Sequence, residues 1–336
     1  MFRRAGAMAL LAPCLLANDA PSTFADVALM ECEWISACRG LHVQYQVTEE
    51  VPDVRLDIHS PAPLVGQATT ETWIDADGQQ YRYETHVDHE HHQRELKQLA
   101  AAGVAAIDEW KMPDIFSDSL LVRRSDYSEW LPLDTAKMVM SWRIPGAPAG
   151  DPHSQLSTEG EVQPLYRWCV LHQLSEEGWY PTGETDSPFA PAPSLNGVVF
   201  AEERCQAAGE HATLSAIVSY PKWLPDYRMK LTLTLVRLGD PARWFTERIS
   251  ATTPDDEHGG ATTVITWCLV PGASCVAVPE RILRTANRTG RIDSECRATR
   301  IEAPASFPKE TWSIDQSLAR SIYDSTLEMM LMPEAF

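Results

Sequence analysis

Leu41-His42-Val43-Gln44-Tyr45-Gln46-Val47-Thr48-Glu49 alternates apolar and polar residues without a break, directly after a helical-period segment from Ser22 to Cys38 that stops at Gly40. Period two marks a strand with one buried face, whereas apolar residues three and four apart mark a helix with one buried stripe. A helix hands over to a half-buried strand, and about ten strand-like segments follow. That order argues against an alternating parallel α/β fold and predicts a helix appended to one large antiparallel sheet.

The clearest hairpin joins Thr69–Ile74 to Gln79–His86 through Asp75-Ala76-Asp77-Gly78, whose glycine supplies a left-handed turn position. Pro52, Pro61 and Pro63 make the stretch from Val51 to Val65 an irregular edge with at most a short strand at Val54–Ile58. His91–Trp110 switches to helical spacing and reads as a helix over the sheet or its mouth. Further strands are expected at Leu120–Arg124, Ala136–Ile144, Leu165–Gln173, Gly197–Ala201, Thr213–Tyr220 and Met229–Leu238. Trp244–Thr252, Thr262–Val270, Cys275–Thr285 and Cys296–Glu302 complete the series. Leu231-Thr232-Leu233-Thr234-Leu235 sets leucines on one face and threonines on the other, so that strand is covered on one side only. Pro145–Gly160 reads as a surface connection, and the same texture resumes beyond it, so residues 26–336 read as a single domain.

Forty-seven acidic against 28 basic residues give a formal net charge of −19, which repels phosphate backbones and argues against nucleic acid as a partner. Met1-Phe2-Arg3-Arg4 and the uncharged run Ala5–Ala17 have the form of a secretory signal ending at Ala20 or Ala25, which places the mature protein in the periplasm or outside the cell. The alternative, that residues 1–25 are not a signal, places it in the cytoplasm. Leu11-Ala12-Pro13-Cys14 only weakly matches a lipoprotein box, because Pro13 stands where a small residue belongs. No other segment is long and apolar enough to span a bilayer.

Loss of Cys14 with a signal leaves an odd number of the eight cysteines. Cys268 and Cys275 flank Pro271-Gly272, and an even-length hairpin loop centred there sets them opposite one another, within reach of a disulfide in an oxidising compartment. Cys32 and Cys38 fall on different faces of the first helix and read as buried thiols.

Taken together, the order of these segments resembles that of the bacterial outer-membrane lipoprotein carrier superfamily, the LolA/LolB-like proteins. A signal is followed by a short helix, the strand Leu41–Glu49, and a hairpin ending in Gly78-Gln79-Gln80-Tyr81-Arg82-Tyr83-Glu84. Leu231–Arg248 with its Gly239-Asp240-Pro241 turn, and Val276-Ala277-Val278-Pro279-Glu280-Arg281-Ile282, resemble the paired strands that follow in that family. The resemblance covers most of residues 22–315 and implies a mainly β (α+β) fold. Its form is an unclosed antiparallel β half-barrel of about ten or more strands with helices in or over an apolar concave face. Greater length, the Pro145–Gly160 insertion and the helix at His91–Trp110 depart from the carriers.

Leu41, Val43, Tyr45 and Val47 share a face by strand parity, and Trp73, Tyr81 and Tyr83 add aromatic surface to the first strands. With Arg82 to orient a head group, these eight residues form the expected site for a hydrophobic, lipid-like ligand. Their alternative role is packing against helices. A second reading is a sensor or scaffold that engages another exported protein through a sheet edge. A third is a metal-dependent enzyme at His86-Val87-Asp88-His89-Glu90-His91-His92, where four imidazoles and two carboxylates crowd together without a zinc-protease spacing. No elbow around a nucleophilic serine and no phosphate-binding glycine loop occurs in the sequence, so the leading reading is non-catalytic and needs no cofactor.

Overall fold

The computed structural model describes residues 20–50, 65–77, 80–101, 119–124, 127–132, 138–143, 169, 198–221, 224–253, 259–273, 277–314, 321–324 and 329–331. The strands are β1 Leu41–Glu50, β2 Val65–Ile74, β3 Tyr81–Val87, β4 Ser119–Arg124, β5 Tyr127–Pro132, β6 Met138–Arg143, β7 Val199–Ala208 and β8 His211–Tyr220. They continue as β9 Leu224–Leu238, β10 Arg243–Thr252, β11 Ala261–Leu269, β12 Ala277–Ala286, β13 Ile292–Glu302, β14 Ser321–Asp324 and β15 Met329–Leu331. All belong to one open sheet in the order β15-β14-β6-β5-β4-β3-β2-β1-β13-β12-β11-β10-β9-β8-β7. Among the described residues two α-helices accompany it, α1 Phe24–Ala37 and α2 His89–Ala101. The protein is thus a mainly β, unclosed half-barrel: the alternation predicts the large sheet, and the half-barrel form is the one that the resemblance implies.

A capping box starts α1. The Thr23 hydroxyl accepts from the Asp26 amide at 3.1 Å while the Asp26 carboxylate accepts from the Thr23 amide at 2.9 Å, which satisfies donors that the first turn leaves without partners. Phe24, Val27, Glu31, Trp34, Ile35 and Cys38 are buried at helical spacing, so a carboxylate sits within an otherwise apolar stripe. Phe24 stacks on Phe200 of β7, with ring centroids 4.8 Å apart, and the Trp34 indole donates to the carbonyl of Ala277 in β12 at 2.8 Å. Those strands lie five intervals apart, about 24 Å in a flat sheet, whereas ten helical residues rise only about 15 Å. One helix touches both because the sheet curls around it.

The inner face follows from strand parity. Leu231, Leu233 and Leu235 of β9 register against Ala216, Leu214 and Ala212 of β8 and all lie inside, while Thr232 and Thr234 face outward. The same core cluster continues through Ile249, Ile265, Ile282 and Cys296 to Val47, Tyr45, Val43 and Leu41 of β1.

Several expectations are corrected. The sequence reading omits β5, β14 and β15, and β14 runs parallel to β6 in an otherwise antiparallel sheet. The parallel pair arises because the chain leaves β13 and passes β1 to β6 before re-entering the sheet, the kind of crossover that a parallel neighbour requires. The second helix begins at His89 and is described as far as Ala101, and β7 extends seven residues beyond the expected Ala201, to Ala208. The hairpin register pairs Leu269 with Ala277 and Cys268 with Val278. Its connection is therefore odd in length and centred beyond Pro271-Gly272, so Cys268 does not face Cys275. Cys268 is a free thiol whose Sγ lies 3.6 Å from the Leu269 carbonyl, and burial together with the Glu280 carboxylate pushes its pKa up. Cys275, Cys14, the signal-like segment 1–19, the expected strands Val54–Ile58 and Leu165–Gln173 (apart from Cys169), and the Pro145–Gly160 connection lie outside the described residues.

Candidate functional site

Register divides the eight expected site residues between the two faces of the sheet. Leu41, Val43, Tyr45, Val47, Tyr81 and Tyr83 lie inside, none more than 5% exposed, in one cluster with the buried stripe of α1. Trp73 pairs with both His42 and Arg82 and shares their outer face. Arg82, expected to orient a head group within the site, lies on that outer face instead, because it alternates with Tyr81 and Tyr83 along β3.

Two ladders end early beside the helix-covered interior. Pairing of β10 with β11 stops at Arg248 and Val264, and pairing of β12 with β13 stops at Arg281 and Arg297. Strands β11 and β12 nevertheless stay paired to each other as far as Leu269 and Ala277. The tip of that hairpin is thus detached from the ladder on both outer edges. Three aromatic donors replace the missing backbone bonds. The Tyr45 hydroxyl donates to the Pro279 carbonyl at 2.8 Å, the Trp34 indole to the Ala277 carbonyl, and the Trp267 indole to the Thr246 carbonyl at 2.9 Å. Trp34 meets Trp267 edge to face, and Trp267 in turn packs on Phe245. Helix, hairpin tip and β10 therefore close over the apolar face through side chains rather than through a continuous ladder.

Beside this seam the inner face becomes polar. Arg237 registers with Trp244 and Leu235 with Thr246, so all four share the leucine face. The Trp244 Nε1 and Thr246 Oγ1 atoms are buried and have no hydrogen-bond partner. The sequence reading did not single out these residues, although a signal was present: Arg237 stands where the series Leu231, Leu233, Leu235 calls for another apolar side chain.

The outer face carries a layered polar network. The His42 ring stacks on Trp73 with centroids 4.7 Å apart, and the Arg82 guanidinium lies over the same indole at 5.6 Å. His42 lies 3.0 Å from Glu71 and 3.6 Å from Glu302, while Arg82 pairs with Glu84 and donates to the carbonyls of Thr311 and Ser313 at 3.0 and 3.1 Å. These bonds strap the segment after β13 across the outside of the sheet. Burial opposes ionisation of Glu84, but the His86 bond and the Arg82 charge outweigh it and hold the carboxyl below its ordinary range.

The histidine-rich run is dispersed by its local structure. His86 bonds Glu84 at 3.1 Å, the Asp88 carboxylate accepts from the His91 amide at 2.8 Å at the start of α2, and His92 is buried. Burial, then the charges of His89 and His91, push the His92 pKa down. Among the described residues no three histidine, cysteine, aspartate or glutamate side chains group closely enough to hold a metal ion, and no helix is long and apolar enough to cross a membrane.

The ladder and the site define an open antiparallel half-barrel with a helix in its concave face. No family model matches the sequence, and no curated protein matches it. Among solved structures the chain is similar to a LolA superfamily protein from Nitrosomonas europaea, with 9% sequence identity and a TM-score of 0.34 over 86% of this chain and 98% of that one. The half-barrel described here rests on this chain's own strand pairing.

Proposed function

We propose that this is an exported, non-catalytic protein that binds a hydrophobic or amphipathic, lipid-like ligand between the inner face of the sheet and α1. The observation that carries this reading is one apolar face, continuous from β3 to β8, that is closed over by a helix and a detached hairpin tip instead of by further strand pairing. Apolar burial supplies the affinity, and movement of α1 or the hairpin tip supplies access. Leu41, Val43, Tyr45, Val47, Tyr81 and Tyr83 line the helix-covered part of this face, while Trp73 and Arg82 brace the sheet from outside.

Native mass spectrometry of the full chain, purified without a tag and then extracted for lipid, tests this. The expected result is a bound acyl compound whose release increases hydrogen exchange at the hairpin tip. A bare chain mass, together with no uptake of an added fatty acid, sinks the reading. The strand β7 supports a second reading, strand addition by a protein partner. It is the last strand of the sheet, and its residues from Ala201 to Ala208 are exposed.

A further inference from the structure

We infer that Arg237, Trp244 and Thr246 form the head-group pocket of the interior, built for an anionic oxygen group, a carboxylate or phosphate, at the end of an acyl chain. This inference rests on the ligand-binding reading above and gives it a chemical class and a place. Thr246 is fully buried and Trp244 is 7% exposed, yet the hydroxyl and the indole N–H meet no acceptor within the protein. A buried donor left unmade is costly, and such groups in a native interior call for a partner from outside the chain. Both are on the inner face of one strand, two residues apart, and Arg237 is the registered neighbour of Trp244 on β9. Two groups that can donate and one guanidinium on a single face match an anionic oxygen group, and the charge of the guanidinium repels an ammonium head group.

The surroundings specify the rest of the ligand. Leu235, Leu233 and Leu231 continue from the polar trio along the same face of β9 and provide a track for an acyl chain. Access lies next to Thr246, where β10 and β11 have already separated and the Trp267 indole holds the Thr246 carbonyl. Lifting the hairpin tip there breaks side-chain bonds and no β10–β11 ladder bonds. The net charge of −19 disfavours anions over the surface as a whole, so the guanidinium at this position selects for an anion locally.

The test is equilibrium binding of cis-parinaric acid and of its methyl ester, which share one chain and differ in head-group charge, to the full-length protein. The acid is expected to bind at least about tenfold more tightly, the ratio for one charge-assisted hydrogen bond. Arg237→Leu and the nearly isosteric Thr246→Val should each reduce that ratio toward one by weakening the acid more than the ester, which keeps a carbonyl acceptor but has no charge. Thr246→Val keeps the test decisive if the arginine variant fails to fold. Palmitate and a lysophosphatidate of equal chain length then compete with the bound probe. Displacement by palmitate alone assigns a carboxylate, and displacement by both assigns any anionic oxygen head group. Equal affinity of acid and ester in the unaltered protein overturns the head-group pocket while leaving apolar binding in place, whereas binding of neither probe overturns both readings.

Discussion

Replacing Tyr45 with Phe removes one oxygen from the centre of the molecule and isolates the role of the aromatic donors that hold the hairpin tip. Tyr45 is fully buried, and its hydroxyl donates at 2.8 Å to the carbonyl of Pro279. Pro279 precedes the first β12–β13 pair, at Arg281, so no backbone donor from β13 replaces the lost one. The ring remains, so almost no cavity opens. The cost is therefore the net bond, about 1 kcal/mol, rising to about 3 kcal/mol if the carbonyl stays buried without a partner. Thr299→Val on β13 is the control. Its hydroxyl bond to Gln44 is exposed, and its loss should cost about 0.5 kcal/mol or less. Urea-unfolding midpoints give the two costs, and hydrogen exchange should accelerate at residues 277–280 in Tyr45→Phe alone. A Tyr45→Phe shift no larger than that of Thr299→Val, with exchange unchanged, refutes the idea that side chains hold the tip where the ladder fails.

Thr23→Ala dismantles the capping box of α1 and should lower stability by about 1 kcal/mol in urea unfolding followed by far-ultraviolet circular dichroism. Gly260→Ala forces a side chain onto a backbone at φ +84° and against the Ala251 carbonyl, at a cost of roughly 3 kcal/mol or more. Gly209→Ala, at φ +62° with open space around it, should cost only about 1–2 kcal/mol in the same urea-unfolding assay. Glu84 has a folded pKa below its unfolded value, so the native state binds fewer protons than the unfolded chain between the two values. Its contribution is complete above about pH 4.3, the ordinary glutamate value, and is lost as pH falls through the folded pKa. Urea midpoints measured below pH 5 should therefore depend less on pH in Glu84→Gln than in the unaltered chain, and equal slopes would remove Glu84 from acid unfolding.

The sequence alone determined most of the longer elements and the class of sheet. Alternation in β1 and in Leu231–Leu235, the three- and four-residue spacing of α1, and its Thr23–Asp26 cap are local patterns, and local sterics and burial are enough to read them. Parity within β3 already separates Arg82 from Tyr81 and Tyr83. Tertiary structure alone decided where Trp73 faces, that Cys268 meets Val278, that the β11–β12 tip detaches, and that Arg237 comes beside Trp244. Each of these depends on register between strands, which turn lengths and the bulges near Thr246 and Thr266 set jointly. A shift of one residue exchanges the two faces of a strand. The short β14 and β15 lack a local signal for a further reason: four- and three-residue strands become strands only when a neighbour supplies the other half of their hydrogen bonds.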